Sequence, residues 1–136
     1  MIFVRWVDEK YSVNIGEINQ QHQRLIGIIN EVYQAKVENQ NRNTIAGILE
    51  KMVDYTKTHF QTEEELMAEH DFPELEPHRN AHQFFVTKVG EFSRKFSMND
   101  DSIIEEMLDF LKEWLLKHIM EMDKRYAPYL NERGIY

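Results

Sequence analysis

The sequence contains no cysteine. That excludes disulfides, thiolate ligation, iron–sulfur clusters and cysteine nucleophiles together, and it fits a cytoplasmic protein. Proline and glycine are scarce, at three and five in 136 residues. Many short strands joined by tight turns would use more of both, so helices are expected. Basic residues are outnumbered, 16 Lys and Arg against 24 Asp and Glu, for a net charge of -8. No basic face is available for nucleic acid. No apolar run approaches the roughly 20 residues of a membrane span, so no membrane partner is expected. The start, Met1 to Glu9, lacks a basic stretch followed by an apolar one, so no signal peptide is expected.

Hydrophobic residues make up 42% of the chain, enough at this length for one core and hence one domain over 1–136. Four segments carry helical periodicity. The first covers about 19–38, with Leu25, Ile28, Ile29, Val32 and Tyr33 in a stripe and Asn19 as N-cap. The second covers 44–69, with Ile48, Leu49, Met52, Tyr55, Phe60 and Met67, and ends at His70-Asp71-Phe72-Pro73. The third covers 74–96, with Phe85, Val86, Val89 and Phe92; Pro77 fits only in its first turn. The fourth covers 103–126, with Ile104, Met107, Leu108, Leu111, Leu115 and Ile119. Ser102 with Glu105 has the form of a capping box. Polar turns are expected at 39–43 and 97–101. Short connections make neighbouring helices antiparallel. The expected fold is therefore all-α, an up-down-up-down four-helix bundle, with residues 1–18 as an N-terminal arm carrying Trp6, Tyr11, Val13, Ile15 and Ile18.

Five of the six histidines and two acids are distributed along these helices in a telling way. His59 precedes Glu63 by four residues and His78 precedes His82 by four, spacings that put both side chains on one helix face. His22 lies near the start of the first helix, His59 and Glu63 toward the end of the second. His78 and His82 lie near the start of the third, His118 and Asp123 toward the end of the fourth. In an antiparallel bundle, starts of odd helices and ends of even ones meet at the same end. Each pair alone is more often an ordinary surface pair, but jointly the seven converge on one end of the core. His118 and Asp123 are five residues apart, a separation that an ideal helix turns to different faces. Either they reach opposite sides of a two-metal centre, or a π-type irregularity lies between Leu116 and Asp123.

Five imidazoles and two carboxylates are too many ligands for one structural zinc and too nitrogen-rich for calcium or magnesium. They fit two six-coordinate irons if both carboxylates and a solvent-derived oxygen bridge the pair, which leaves one position open. The Glu-x-x-His pairs of ferritin-like di-iron proteins are absent from the sequence. Few carboxylates and many neutral imidazoles favour the reduced metal, and so ligand binding over oxygenase chemistry. His70 reads as a solvated turn residue, the methionines as core filler, and Glu64 and Glu65 as a solvated face from which Glu64 could support a ligand residue.

The motifs Gln21-His22-Gln23-Arg24-Leu25, His59-Phe60-Gln61-Thr62-Glu63-Glu64, His78-Arg79-Asn80-Ala81-His82 and Trp114-Leu115-Leu116-Lys117-His118, continuing to Asp123, resemble those of the hemerythrin family, in particular its bacterial single-domain members. Trp6 and Phe72-Pro73 also match. The resemblance covers essentially the whole chain and implies a non-haem di-iron centre with an oxo or hydroxo bridge. His78, His82 and His118 would hold one iron, His22 and His59 the other, and Glu63 and Asp123 would bridge. It implies reversible O2 binding at the open iron, with small anions such as azide as further ligands. Leu25, Phe60, Trp114, Leu115 and Ile119 occupy positions like those of the family's apolar O2 pocket. It also implies alternatives: an O2 or redox sensor acting through a protein partner, or an enzyme acting on peroxide or nitric oxide. The family's usual Asp is replaced here by Asn19.

Overall fold

The computed structural model describes residues 3–98 and 101–136. A one-turn helix α1 (Asp8–Tyr11) precedes α2 (Gly16–Val37), α3 (Arg42–Glu69), α4 (Leu75–Ser97) and α5 (Ile103–His118). A π-helical turn over Ile119–Asp123 follows, and then α6 (Lys124–Asn131). No strand occurs among the described residues. α2 packs on α3 and α5, and α4 packs on the same two helices, which closes the ring of a four-helix bundle. The expected all-α bundle is the observed fold. No helix among the described residues is long and apolar enough to cross a membrane.

The long helices stop where local chemistry stops them. Asn39 sits at φ 54 after α2, with Gln40 N–H donating to Ala35 O and Asn39 N–H to Lys36 O. This is a Schellman stop with asparagine in the left-handed position. Asp71 does the same after α3 at φ 55, where Phe72 N–H reaches Met67 O at 2.9 Å and both side chains are buried in one cluster. The predicted turn after the second helix is therefore a specific helix terminator. α3 starts at Asn41, whose side chain accepts from Thr44 N–H.

Three local expectations fail. Asn19 does not cap α2; the cap is Ile15, and the helix begins a turn earlier because burying Ile15 and Ile18 supports that extra turn. The Asn19 side chain instead ties down the arm, accepting from Val13 N–H at 3.0 Å and donating to Ser12 Oγ. Residues 16–18 of the expected arm thus belong to α2. Ser102 makes no cap hydrogen bond, because its backbone is already helical and Glu105 is drawn to Lys36 at 2.5 Å. Of the turn expected at 97–101, Asn99 and Asp100 lie outside the described residues.

Two apolar clusters result. The larger fills the bundle with Leu25, Ile29, Leu49, Met52, Phe60, Phe85, Val89, Leu111, Leu115 and Ile119 among others. The smaller joins the arm to the helix ends through Val13, Ile15, Ile18, Met67, Phe72, Tyr126 and Leu130. The polar set lies between them, since Phe60 of the larger cluster stacks on His82 and Tyr126 of the smaller bonds to Glu63.

Candidate metal centre

All seven residues expected from the sequence come together, and all are at least 96% buried. α2 supplies His22, α3 His59 and Glu63, and α4 His78 and His82. His118 ends α5 and Asp123 ends the π turn. That turn is the irregularity expected between Leu116 and Asp123: i→i+5 pairing widens the helix so that residues five apart share a face. The result is that one Asp123 oxygen lies 2.9 Å from His78 Nε2 and 3.0 Å from His118 Nε2, while the other lies 3.0 Å from His22 Nε2. Glu63 Oε1 lies 2.9 Å from His59 Nε2 and 3.6 Å from His82 Nε2.

The donor atoms form two overlapping groups, each with all its atoms within 4.8 Å. One contains Glu63, His78, His82, His118 and Asp123, the other His22, His59, Glu63 and Asp123. Glu63 and Asp123 belong to both. His22 Nε2, His78 Nε2, Glu63 Oε1 and both Asp123 oxygens are buried without a hydrogen-bond partner, although they crowd together. Orphaned buried polar atoms are costly, and a cation among them removes the cost. His70 is in neither group; its Nδ1 lies 2.9 Å from Leu66 O.

The outer nitrogens show what orients the rings. His59 Nδ1 lies 2.6 Å from Gln21 Oε1 and His82 Nδ1 lies 2.9 Å from Glu64 Oε2. An acceptor there fixes the tautomer with Nε2 bare and facing inward. Aromatic plates hold two ring planes, Phe60 on His82 at 3.7 Å and Trp114 on His118 at 4.5 Å. Leu25, Phe60, Leu115 and Ile119 are buried in the larger apolar cluster, with Trp114 packed against it.

The family model described as hemerythrin HHE cation binding domain matches residues 13–130, a span that holds all seven of these residues. The chain belongs to the hemerythrin family. It is 35% identical over 127 residues to the bacteriohemerythrin of Stenotrophomonas maltophilia, covering 93% of this chain and 81% of that one. Against the bacteriohemerythrin of Clostridium acetobutylicum it is 31% identical, covering 89% and 96%. A solved structure of wild-type hemerythrin superposes with a TM-score of 0.86 at 25% identity, over 93% of this chain and 96% of that one.

The electrostatics of this hemerythrin site favour ionised carboxylates and a neutral His82. Burial and Asp123 both oppose the charge on Glu63, but His59 and His82 outweigh them and hold its carboxyl below the usual range. Asp123 is likewise held low, its burial outweighed by His118, His22 and His78. Burial pushes the His82 imidazole down to about 3, which keeps it neutral at pH 7. His118 is opposed by burial but raised overall by Asp123.

Tyr126 and Gln21 contact two of these residues, and sequence reasoning assigned neither contact. Tyr126 donates its hydroxyl to Glu63 Oε2 at 2.5 Å and is fully buried. Burial, reinforced by Glu63 and Asp123, raises its pKa well above the ordinary value and keeps the proton in place. The available signal was its position three residues after Asp123, on a neighbouring part of the same helix face. Tyr126→Phe should keep the fold and cost about 1–3 kcal/mol of stability, the range for a buried polar group left unpaired. Urea unfolding of the metal-free protein measures it.

Proposed function

We propose that this chain binds O2 reversibly at a non-haem di-iron centre, as a carrier, store or local supplier of O2 and not as a catalyst of net turnover. The observation that carries this is the pair of donor groups sharing Glu63 and Asp123, one with three imidazoles and the other with two. His78, His82 and His118 would hold one ion, His22 and His59 the other. Glu63 and Asp123, the two residues common to both groups, would be shared between the ions, with an oxo or hydroxo group as the further bridge. The ion pair, when bound, supplies two one-electron donors and one open coordination position, on the two-imidazole side, suited to O2 or a small anion such as azide.

The remaining work falls to the chain. Carboxylates held deprotonated, and a His82 imidazole held neutral, need little rearrangement to bind a cation. Leu25, Phe60, Trp114, Leu115 and Ile119 would exclude water and competing anions on the side of the larger apolar cluster. Excluding water slows irreversible oxidation and so favours release of the ligand unchanged. Tyr126 holds Glu63 from the opposite side.

A sensor acting through a partner is the second reading, and one contact favours it. α1 of the arm packs directly on the π turn that carries Asp123. A change in the centre's geometry would reach the arm through that turn. Lys124, at the end of the turn, donates to the Glu9 carbonyl at 3.4 Å.

The absorption spectrum of iron-loaded protein, cycled between anaerobic and aerobic solution, tests the first reading. A nearly colourless reduced form should gain ligand-to-metal charge-transfer bands with O2 and lose them when O2 is removed. Immediate irreversible conversion to a ferric form would shift weight to the sensor. No iron-dependent band would remove the di-iron centre altogether.

A further inference from the structure

The two imidazoles with side-chain acceptors on their outer nitrogens are treated differently. His59, in the two-imidazole group, faces the neutral amide oxygen of Gln21. His82, in the three-imidazole group, faces the carboxylate of Glu64. Glu64 is in turn engaged by Arg79, whose Nε lies 3.3 Å from its other oxygen. Arg79 also donates to Glu76 at 2.7 Å. These residues line an open groove of about 690 Å³ between α3 and α4, which reaches inward to His82 and Phe60. The chain Arg79–Glu64–His82 therefore runs from solvent to the centre, with the Arg79 side chain 44% exposed and that of His82 3% exposed.

A carboxylate behind a ligating imidazole fixes the ring's tautomer and makes it a stronger donor. A stronger donor favours the more highly charged metal ion. An amide gives the first effect with much less of the second. We propose that Glu64 is a positioning residue that sets the reduction potential of the ion held by His78, His82 and His118, and that Arg79 moderates it by drawing on the Glu64 charge. The inference rests on the di-iron reading above. It assigns the centre an electronic asymmetry beyond the three-to-two division of imidazoles, adjustable from the surface without touching a ligand.

The two residues should act in opposite directions. Glu64→Gln keeps an oxygen acceptor for His82 Nδ1–H but removes the charge, so the potential should rise. Arg79→Gln frees the full Glu64 charge, so the potential should fall. An effect of about tenfold in the ferric-to-ferrous ratio at fixed ambient potential, about 59 mV for a one-electron couple, is readily measured. Spectroelectrochemical titration of iron-loaded wild type and both variants reads it. Unmoved potentials, or shifts of the same sign, in variants that retain two irons per chain would overturn the proposal; a purely structural contact predicts no shift in Glu64→Gln. A second measurement needs no iron. Nitrogen NMR of the metal-free protein should show His82 as the Nδ1–H tautomer in wild type and Glu64→Gln, with that signal altered in Glu64→Leu. An Nε2–H tautomer in wild type, or no change in Glu64→Leu, would also overturn it. If wild type fails to take up two irons while the NMR result holds, the fault lies in the di-iron reading, and the claim about potential goes with it.

Discussion

Asp123→Ala should lower the metal content from two ions per chain to at most one, and abolish any spectroscopic sign of coupling between two metals. Asp123 is fully buried, and its two oxygens lie near imidazoles of both groups: His78 and His118 on one side, His22 on the other. Without it the three-imidazole group keeps His78, His82, His118 and Glu63. That is enough for a single four-coordinate ion. The other group keeps only His22, His59 and a share of Glu63, too few donors to hold a second ion once Glu63 is committed. Glu63→Ala should act similarly, since Glu63 is the other member of both groups. The fold should persist in each, because the apolar clusters on both sides are untouched. Elemental analysis and far-UV circular dichroism measure the two halves of the prediction. Two ions per chain with an unchanged spectrum in either variant would defeat the bridging assignment.

Much of this site was legible in the sequence because it is built from long helices. Helix period and chain direction alone were enough to gather His22, His59, Glu63, His78, His82, His118 and Asp123 at one end of a bundle. Even the π turn was visible, since a five-residue spacing conflicts with an ordinary helix when both residues face the same centre. Three features were not legible, for separate reasons. Asn19 looked like a helix cap because asparagine favours caps. The burial of Ile15 and Ile18 outweighed that local preference, and the cap lies one turn earlier. Ser102 and Glu105 looked like a capping box until a cross-helix partner, Lys36, claimed Glu105. Tyr126 carries no motif, and Gln21 stands in one only as the neighbour of His22. Their roles come from contacts 63 and 38 residues apart in sequence, which no local pattern encodes. Local periodicity places ligands; the groups that orient them depend on how the helices pack.

Removing the metal should lower the melting temperature by on the order of 10–20 °C. Without a cation the centre holds two mutually repelling buried carboxylates and several orphaned polar atoms. Each such group carries a desolvation cost of about 1–3 kcal/mol that no hydrogen bond repays. A ligand that binds only the folded state stabilises it by about 4 kcal/mol when present at a thousandfold its dissociation constant. For a domain of this size, each kcal/mol moves the midpoint by roughly 3–6 °C. Calorimetry of the protein before and after chelation under reducing conditions measures the difference, and adding back ferrous iron should restore it. Asp123→Ala supplies the control. Its metal-free form should melt within a few degrees of metal-free wild type, because removing one buried carboxylate relieves repulsion while stripping partners from His118 and His22. Iron should then raise its midpoint by clearly less than it raises that of wild type. Equal stabilisation of the two proteins by iron would mean that the metal binds elsewhere on the chain, and the buried set would lose its claim to be the centre.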